Sequence, residues 1–383
     1  MKPIIPRLNY QWTWSDFIQS VIALFSSKIS DNTLLKLLDV EQLFYTNHAR
    51  TALRIALSSL GLPKGSRVGV FIYNCHTVPG AVIKAGYEPV FIDVTDDFTI
   101  DTVDLAAKVS KLDALIVTHL FGLPTDVQSL KIKYPKLPII EDCAHAFYTF
   151  YQGQVLGTVG DMATYSTGKA KFPSVASGGY LMVNNKHYEQ AVQLAYHALP
   201  KASFLSELKS VCMSPVMALL HKPWLYGFFT LPILKAKTPV DRDEQESTML
   251  RTTKRVYLCN KISHIDYLVS QQKTNASIIL SGINNHNSLT ISKNVVSSQT
   301  NSFMIPCRVG NPQAYVDFAY SKGVEFGRHF SNAIMWATHF GYTLGSCPNG
   351  EKIVSEVLVI PCSYNLSKDQ VQKIVNALLE TKY

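Results

Sequence analysis

Short runs of apolar and β-branched residues alternate with helical patterns from about residue 50 onward. The runs lie at Arg67–Ile72, Pro89–Val94, Ala114–Thr118, Leu137–Glu141, Met162–Ser166 and Gly179–Val183. This alternation predicts an α/β fold with a mostly parallel central sheet covered by helices. Ligands of such sheets bind at the carboxyl ends of the strands. Because Tyr73, His119, Asp142 and Ser166 end or follow four of these runs, we expect their side chains to lie close together.

The C-terminal part of the chain has a different pattern. Strands are predicted at Phe303–Val309 and Val357–Ile360, and Ser367-Lys-Asp-Gln370 predicts a capping box at the start of a helix that reaches about Glu380. We therefore expect a large domain over residues 1–250 and a smaller α+β domain over residues 251–383.

The segment Leu205–Pro239 is an unusually hydrophobic insert. It contains two apolar stretches, Met213–Leu220 and Trp224–Leu234, with lysines around them. Neither stretch approaches the about 20 apolar residues of a membrane-spanning helix. Three prolines are expected to interrupt them, namely Pro215, Pro223 and Pro232. The pattern fits short amphipathic elements at a membrane interface, and it equally fits helices buried between subunits.

Composition narrows the classes of partner. With 383 residues, of which 47% are hydrophobic, the chain is long enough for a sizeable core. Its formal net charge of +8 comes from scattered lysines and arginines without an aromatic-interleaved basic stripe. This distribution argues against nucleic-acid binding and favours an anionic small molecule or a membrane surface.

The cysteines and the N-terminus bear on location. Seven dispersed cysteines show no metal-ligand spacing, so we expect no metal site. Their dispersal also favours a reduced, cytoplasmic environment. Peripheral contact with the inner face of the membrane is an open alternative within that compartment. The apolar stretch Phe17–Phe25 lacks the length and cleavage site of a signal peptide. It predicts an amphipathic helix.

Lys171 is the most informative candidate for chemistry, because it follows a predicted buried strand in a loop rich in small residues. Asp142 ends another strand, and His145 comes three residues later. A lysine that forms an imine, an acid beside a pyridine nitrogen and an imidazole together indicate pyridoxal phosphate (PLP). Lys169 is the competing lysine, and Asp142 taken alone is as easily explained by a capped turn.

The phosphate of such a cofactor is best bound at a helix N-terminus. Asn47–Thr51 precedes a helical run, so the backbone amides near Arg50 and Thr51, with the hydroxyls of Thr51 and Ser166, predict a phosphate site. An ordinary helix start is the more frequent explanation of this segment by itself.

The pyridine ring requires contacts of its own. We expect His145 to contact the ring oxygen or the ring face, and Tyr73 or His76 to stack on the ring. A structural histidine and a core tyrosine remain the more common explanations when each residue is considered singly.

The motifs, in this order and spacing, resemble the DegT-type sugar aminotransferases, which are fold-type I PLP enzymes. The matching blocks cover most of the chain and comprise His48–Leu53, Ala85–Asp93, Thr118–Pro124, Ile140–His145, Gly160–Asp161, Tyr165–Ser166, Lys171, Ser177–Gly179, Gly327–Phe330 and Ser355–Pro361. The resemblance implies Lys171 as the cofactor-binding lysine, Asp142 as the partner of the pyridine nitrogen, His145 near the ring and Ser166 at the phosphate.

The same resemblance implies a homodimer, in which Arg255 approaches the neighbouring active site, and a substrate-binding role for His329. The chain departs from the family pattern at His48 and Ala49, where serine and glycine are common. It also has Cys75 where a stacking aromatic residue is common, so Tyr73 or His76 is expected to take over that contact.

The function implied is amino transfer from L-glutamate to a keto-sugar, commonly nucleotide-linked, for amino-sugar and surface-glycan synthesis. A PLP-dependent sugar dehydratase on the same scaffold is an alternative, but relatives with that activity typically replace the lysine that Lys171 retains. A non-catalytic regulatory or membrane-associated module is the other alternative, in which the changes at His48, Ala49 and Cys75 mark a decaying site.

Overall fold

The computed structural model describes residues 2–7, 10–26, 32–236, 247–284, 286, 288–296 and 299–381. Its strands are, in chain order, Phe44–Thr46 (β1), Arg67–Phe71 (β2), Glu88–Ile92 (β3), Ala114–Thr118 (β4), Ile139–Asp142 (β5), Phe150–Tyr151 (β6), Gln154–Val155 (β7), Met162–Ser166 (β8), Gly179–Val183 (β9), Thr290–Ile291 (β10), Met304–Arg308 (β11) and Val357–Pro361 (β12).

The main sheet has seven strands in the order β1-β9-β8-β5-β4-β2-β3. Strands β3, β2, β4, β5 and β8 run parallel, whereas β9 is antiparallel to both of its neighbours. The six predicted strands and the mostly parallel sheet are confirmed. Strand β9 reverses direction because the chain between Ser166 and Gly179 forms no helix, and parallel neighbours usually need a helical crossover.

Helices cover this sheet. In chain order they are Trp14–Phe25 (α1), Asn32–Leu38 (α2), Ala49–Ser59 (α3), Thr77–Lys84 (α4), Thr102–Lys108 (α5), Val127–Lys133 (α6), Glu189–His197 (α7), Phe204–Leu220 (α8), Pro223–Leu225 (α9), Leu231–Ala236 (α10), Thr252–Ile262 (α11), Ile265–Gly282 (α12), Pro312–Ser321 (α13), Ala333–His339 (α14), Pro348–Glu356 (α15) and Lys368–Leu379 (α16). Strands β4, β5 and β8 consist entirely of buried residues, as expected for a sheet enclosed by helices.

The C-terminal elements form a smaller α+β unit. Strands β10, β11 and β12 make a three-stranded antiparallel sheet. The predicted capping box is present, because the Ser367 hydroxyl accepts from the Gln370 backbone N–H and the Gln370 side chain accepts from the Ser367 N–H. The boundary between residues 250 and 251 stays a prediction.

The predicted N-terminal amphipathic helix is α1, which begins after a capping box of Thr13 and Asp16. One face, with Ser20 and Ala23, is buried, and α1 packs against α11 and α8. The opposite face exposes apolar side chains, including Trp14 at 73% exposure and Phe25 at 80%.

The insert differs from its prediction in one respect. Pro215 lies inside the 17-residue helix α8 and does not end it. A proline removes one backbone donor, and the buried inner face of Val211 and Ser214 holds the helix to the protein. Pro223 begins the next short helix, where its missing N–H is not required. A π-helical turn at Tyr226–Thr230 joins α9 to α10.

The predicted end of the insert, with Lys237 and Pro239, lies outside the described residues. Across the described ranges, no helix is both long enough and apolar enough to cross a lipid bilayer.

Candidate active site

Asp142 lies at the carboxyl end of β5, in the middle of the main sheet, and its side chain is buried. One carboxylate oxygen accepts from the Ala144 backbone N–H at 3.0 Å, and the other accepts from the Thr118 hydroxyl at 3.5 Å. The Asn74 amide in turn donates to the Thr118 hydroxyl at 2.8 Å. Burial raises the pKa of Asp142, and the opposing effect of the Lys171 charge is smaller.

Lys171 lies in the turn that follows β8, where its N–H donates to the Gly168 carbonyl at 3.2 Å. A Cβ placed on Gly168 would lie 3.5 Å from the Ser166 Oγ and 4.0 Å from the Lys171 Cγ, so both side chains lie near Gly168. Burial lowers the pKa of the Lys171 amine, and the charges of Cys75 and Asp142 offset only part of this shift. The competing Lys169 is exposed.

His145 is held by a hydrogen bond to the main chain. Its Nδ1 accepts from the Phe121 backbone N–H at 3.1 Å, so the ring proton resides on Nε2. That Nε2 is buried and has no hydrogen-bond partner among the described residues. The ring stacks 5.9 Å from Phe330 at an interplanar angle of 9°. Burial, with the Lys171 and His329 charges, lowers the pKa of His145 well below its usual range.

The start of α3 approaches the same end of the sheet. A Cβ on Gly179 would lie 2.5 Å from the Ala49 Cα and backbone nitrogen, so only glycine permits this packing. Ser166 pairs with Gly179 across β8 and β9, which brings it near the helix start. His48 is the N-cap residue of α3 and makes no side-chain capping hydrogen bond. The start of α3 therefore has no side-chain cap, although the Thr51 N–H already donates to the His48 carbonyl at 3.0 Å.

Arg50 and Thr51 occupy the first turn of α3. Thr51 is buried, and its hydroxyl donates to the Asn47 side chain at 2.9 Å. Arg50 is partly buried. The geometry brings both residues to the predicted phosphate end of the helix, with the Thr51 hydroxyl already engaged.

Tyr73 and His76 are the two residues predicted to stack on a ring. Tyr73 is fully buried among aromatic side chains, and its hydroxyl donates to the His329 carbonyl at 2.5 Å. His76 packs 4.9 Å from Trp336. Cys75, between them, interacts electrostatically with Lys171. Of these three residues, Cys75 is the one whose charge affects the pKa of Lys171.

Arg255 and His329, the two predicted substrate-binding residues, make different contacts. His329 lies 5.2 Å from the His145 ring, and burial with the Arg7 and Lys171 charges lowers its pKa well below the usual range. Arg255, on α11, packs its guanidinium 4.3 Å from the centre of the Tyr45 ring. His329 thus joins the Lys171 cluster within one chain, whereas Arg255 packs on Tyr45 of strand β1.

A pocket opens beside Lys171. Its described lining includes Arg7, Lys169, Lys171, Gln272 and Tyr364. Sequence reasoning did not find Arg7, Gln272 or Tyr364, because they come from distant parts of the chain and carry no local motif. The lining contains no aspartate or glutamate among the described residues.

His119, Glu141 and Cys143 form a buried group whose ligand atoms could surround a metal ion. Glu141 instead accepts hydrogen bonds from the His119 ring at 2.9 Å and from the backbone N–H groups of Gly157, Val159 and Gly160. Because successive strand residues face opposite sides of a sheet, Glu141 points away from the face that Asp142 uses. We therefore interpret this group as a structural network behind the site.

A sequence model of the DegT/DnrJ/EryC1/StrS aminotransferase family matches residues 31–214 and 248–379. The chain belongs to this family. Residues 215–247, which include much of the insert, lie between the two matched segments.

Individual relatives agree with this assignment. The chain is 29% identical to a GDP-perosamine synthase of Escherichia coli O157:H7 over 178 residues, which are 45% of this chain and 48% of that protein. The chain thus spans about half the length of the curated relatives that it matches in this way. It is 22% identical to a dTDP-3-amino-3,4,6-trideoxy-alpha-D-glucose transaminase of Micromonospora megalomicea subsp. nigra over 97% of this chain and 96% of the relative.

A solved structure extends the likeness to the whole fold. PseC of Helicobacter pylori, an aminotransferase involved in the biosynthesis of pseudoaminic acid, superimposes with a TM-score of 0.77 at 16% identity and covers 99% of both chains. This likeness confirms the predicted fold class, a fold-type I architecture with a mostly parallel sheet and a smaller C-terminal unit.

Proposed function

We propose that this protein is a PLP-dependent aminotransferase that moves the amino group of L-glutamate to a keto-sugar. The observation that carries the proposal is the convergence of Lys171, Asp142 and His145 at one buried end of the main sheet. Membership of an aminotransferase family supports the same reaction class.

The residues present fit PLP. The Nε2 of His145 is a buried donor without a partner among the described residues, which suits a ring oxygen that accepts a hydrogen bond. The close contact of Gly179 with Ala49 brings an uncapped helix start beside Ser166, which suits a phosphate. Asp142 is a buried carboxyl group that suits a pyridine nitrogen.

When bound, PLP supplies an electron-withdrawing ring that stabilises negative charge on the substrate carbon. In our proposal Lys171 holds the cofactor and then takes and returns a proton at that carbon, which its lowered pKa favours. Asp142 keeps a proton on the ring nitrogen, and the hydrogen bonds from Thr118 and Ala144 hold its carboxylate in position. Arg50, Thr51 and Ser166 are proposed to bind the phosphate.

The acceptor is proposed to be a nucleotide-linked keto-sugar used in amino-sugar and surface-glycan synthesis. The printed names of two relatives, a GDP-perosamine synthase and a dTDP-amino-sugar transaminase, support this class. The retained Lys171 disfavours the dehydratase alternative. The joint retention of Lys171, Asp142 and Ser166 disfavours a non-catalytic module.

The amino-donor half of the reaction can be tested without knowing the sugar. Protein loaded with PLP in D₂O is expected to exchange the α-hydrogen of L-glutamate, and NMR measures the loss of that signal. At saturating glutamate, Lys171→Ala should abolish exchange and Lys169→Ala should retain it. Exchange that persists in Lys171→Ala, or that is absent from the wild type with bound PLP, would contradict the proposal.

We further propose that the protein acts as a homodimer in which Arg255 contributes to the partner's site. The family pattern at residues 254–257 supports this role, and the Arg255 guanidinium is partly buried over Tyr45. Light scattering should give a dimer mass. Mixing Arg255→Gln with Lys171→Ala subunits should restore partial exchange if the two residues act in one site, and no restoration would exclude the shared site.

We propose that the exposed apolar face of α1 and α8–α10 contacts an anionic bilayer. The rings of Phe25 and Phe204 join α1 to α8. This apolar face includes Trp14, Ile18, Ile22, Phe25, Leu205, Val216, Leu219, Trp224, Phe229 and Ile233. The carboxylates of Asp16 and Glu207 on these helices are buried, whereas Lys209 and Lys222 are exposed. Exposed tryptophans and lysines beside apolar side chains suit a lipid interface. In a symmetric dimer formed through this apolar face, the same lysines of the two copies would repel each other.

Sedimentation with phosphatidylserine-containing vesicles tests this contact. We expect binding that salt weakens and that Trp14→Ser with Trp224→Ser removes. The matched control is Met335→Ser with Leu344→Ser, which changes exposed apolar residues elsewhere on the surface. Equal binding by both double variants, or no binding by the wild type, would exclude the bilayer as the occupant of the apolar face.

A further inference from the structure

The pocket beside Lys171 holds two cations that the proposed chemistry does not use, Arg7 and Lys169. We propose that these two side chains form an anion-binding subsite for the substrate, and that the insert positions Arg7 within it. This inference rests on the proposed function, because it concerns the substrate of the same site. The shared chemistry of the ligand is an anionic oxygen group, either a carboxylate of the amino donor or the diphosphate of a sugar nucleotide.

The side chain of Arg7 is directed into the protein. Its Nε is buried and has no hydrogen-bond partner among the described residues. Its charge lowers the pKa of His329, which places the guanidinium near the Lys171 cluster. A guanidinium presents several donors in one plane and binds carboxylates or phosphates through two parallel hydrogen bonds. An anion in this pocket would therefore complete the hydrogen bonding of Arg7.

Gly327 makes room for this arginine. A Cβ on Gly327 would clash with the Cδ and the terminal nitrogen of Arg7. The backbone of Gly327 is not in the left-handed region, and its N–H pairs with the Val359 carbonyl at 2.9 Å. A larger residue at position 327 would therefore displace the Arg7 side chain.

The insert holds the N-terminal segment that carries Arg7. The Ile4 N–H donates to the Pro223 carbonyl at 2.9 Å, and Ile4 packs with Tyr226 and Leu231 in a small apolar cluster. A Cβ on Gly227 would clash with the Lys2 carbonyl oxygen, so the π-helical turn lies directly against the segment. The insert therefore packs along residues 2–4, just before Arg7.

Glu325 links the insert to Arg7 more directly. The Tyr226 hydroxyl donates to Glu325 Oε2 at 2.8 Å, and the Arg7 backbone N–H donates to the same oxygen at 2.9 Å. The segment also pairs with its neighbour through Ile5, whose N–H donates to the Gly323 carbonyl and whose carbonyl accepts from Glu325. Tyr226 is thus a positioning residue that acts on Arg7 through one carboxylate.

Binding of two probes to the full-length, PLP-loaded protein tests the subsite by calorimetry. The probes are 2-oxoglutarate for the amino-donor arm and UDP for the sugar-nucleotide arm. Arg7→Gln and Lys169→Gln should each weaken one probe by about 10- to 100-fold, because each removes a charge-assisted hydrogen bond. The probe whose affinity falls identifies the source of the anion. The matched control, Lys111→Gln, removes an exposed cation outside the pocket lining and should change neither arm.

Two further variants test the positioning. Gly327→Ala keeps the charge of Arg7 but displaces it, and should weaken the same probe as Arg7→Gln. Tyr226→Phe removes one hydrogen bond to Glu325 and should weaken that probe by about 3- to 10-fold while thermal unfolding shows an intact fold. Unchanged binding of both probes in Arg7→Gln would overturn the subsite. Failure of the proposed function can be distinguished from loss of the subsite. If the proposed function is wrong, the wild type shows no α-hydrogen exchange. If only the subsite is lost, exchange at saturating glutamate stays intact.

Discussion

The His145 imidazole accepts a hydrogen bond at Nδ1 from the Phe121 backbone N–H, 3.1 Å away. This contact fixes the tautomer and leaves Nε2–H as a buried donor without a partner among the described residues. The pairing also depends on a neutral ring, since a protonated imidazole cannot accept at Nδ1. The stability of the fold should therefore depend on pH.

Acid should destabilise the protein through His145. Burial lowers the pKa of the folded His145 well below the about 6.5 of an unfolded chain. Below about pH 6.5 the unfolded chain takes up a proton at this position that the folded protein does not, so the free energy of unfolding falls as pH falls toward the folded pKa. The free energy of unfolding can be measured by urea titration at several pH values. Its dependence on pH should be weaker in His145→Gln than in the wild type, by up to about 1.4 kcal/mol per pH unit.

His339→Gln, at an exposed histidine on α14, is the matched control for that slope. Identical pH slopes in His145→Gln and the wild type would show that His145 is not held neutral.

Asp142→Asn should separate cofactor binding from proton transfer. The amide retains the size of the side chain but cannot keep a proton on a pyridine nitrogen. We expect PLP still to bind and α-hydrogen exchange of L-glutamate to fall by at least about 100-fold. Thr118→Val, which removes only the hydroxyl 3.5 Å from the carboxylate, should have a smaller effect. An Asp142→Asn protein that exchanges at the wild-type rate would contradict the role of Asp142.

Gly179→Ala should disturb both stability and the phosphate site. The added Cβ would lie 2.5 Å from the Ala49 backbone, so α3 has to move. We expect a loss of about 1–3 kcal/mol in the free energy of unfolding and weaker PLP binding. Gly310→Ala is the matched control, because a Cβ there meets nothing within 4 Å. Equal stability of both variants would mean that α3 does not depend on this contact.

Tyr73→Phe distinguishes packing from cofactor contact. The Tyr73 hydroxyl donates to the His329 carbonyl within a buried aromatic cluster. Loss of this bond should cost about 1–3 kcal/mol of stability, because it leaves a buried acceptor unsatisfied. The phenylalanine ring keeps the packing, so we expect the PLP affinity to stay unchanged. A large loss of PLP affinity would instead support a direct contact between Tyr73 and the cofactor.

The sequence predicts the strands and the strand-end side chains well, because both follow from local periodicity. Asp142 ends strand β5 and Lys171 follows strand β8, and both strands have an evident burial pattern. The parallel order brings the carboxyl ends of these strands together. The reversal of β9 is not predictable from that pattern, since it depends on the loop after Ser166. Helix α8 continues through Pro215 because tertiary packing outweighs a local breaker.

Arg7 illustrates what a linear pattern cannot predict. It reaches the Lys171 pocket through pairing of Ile5 with residues near Glu325 and through contacts with the insert. Each of these partners is more than 200 residues away in sequence. No periodicity or motif around Arg7 signals such contacts, so the subsite emerges only from the fold.

The absorption spectrum of the purified protein with PLP, recorded before and after L-glutamate, tests the central claim most directly. We expect wild type and Lys169→Ala to show the band of lysine-bound PLP and glutamate to convert it to the band of the aminated cofactor. Lys171→Ala should lack the lysine-bound band. A wild-type protein that binds no PLP, or a Lys171→Ala protein whose spectrum and response to glutamate match the wild type, would contradict the claim that Lys171 is the cofactor-binding lysine of an aminotransferase.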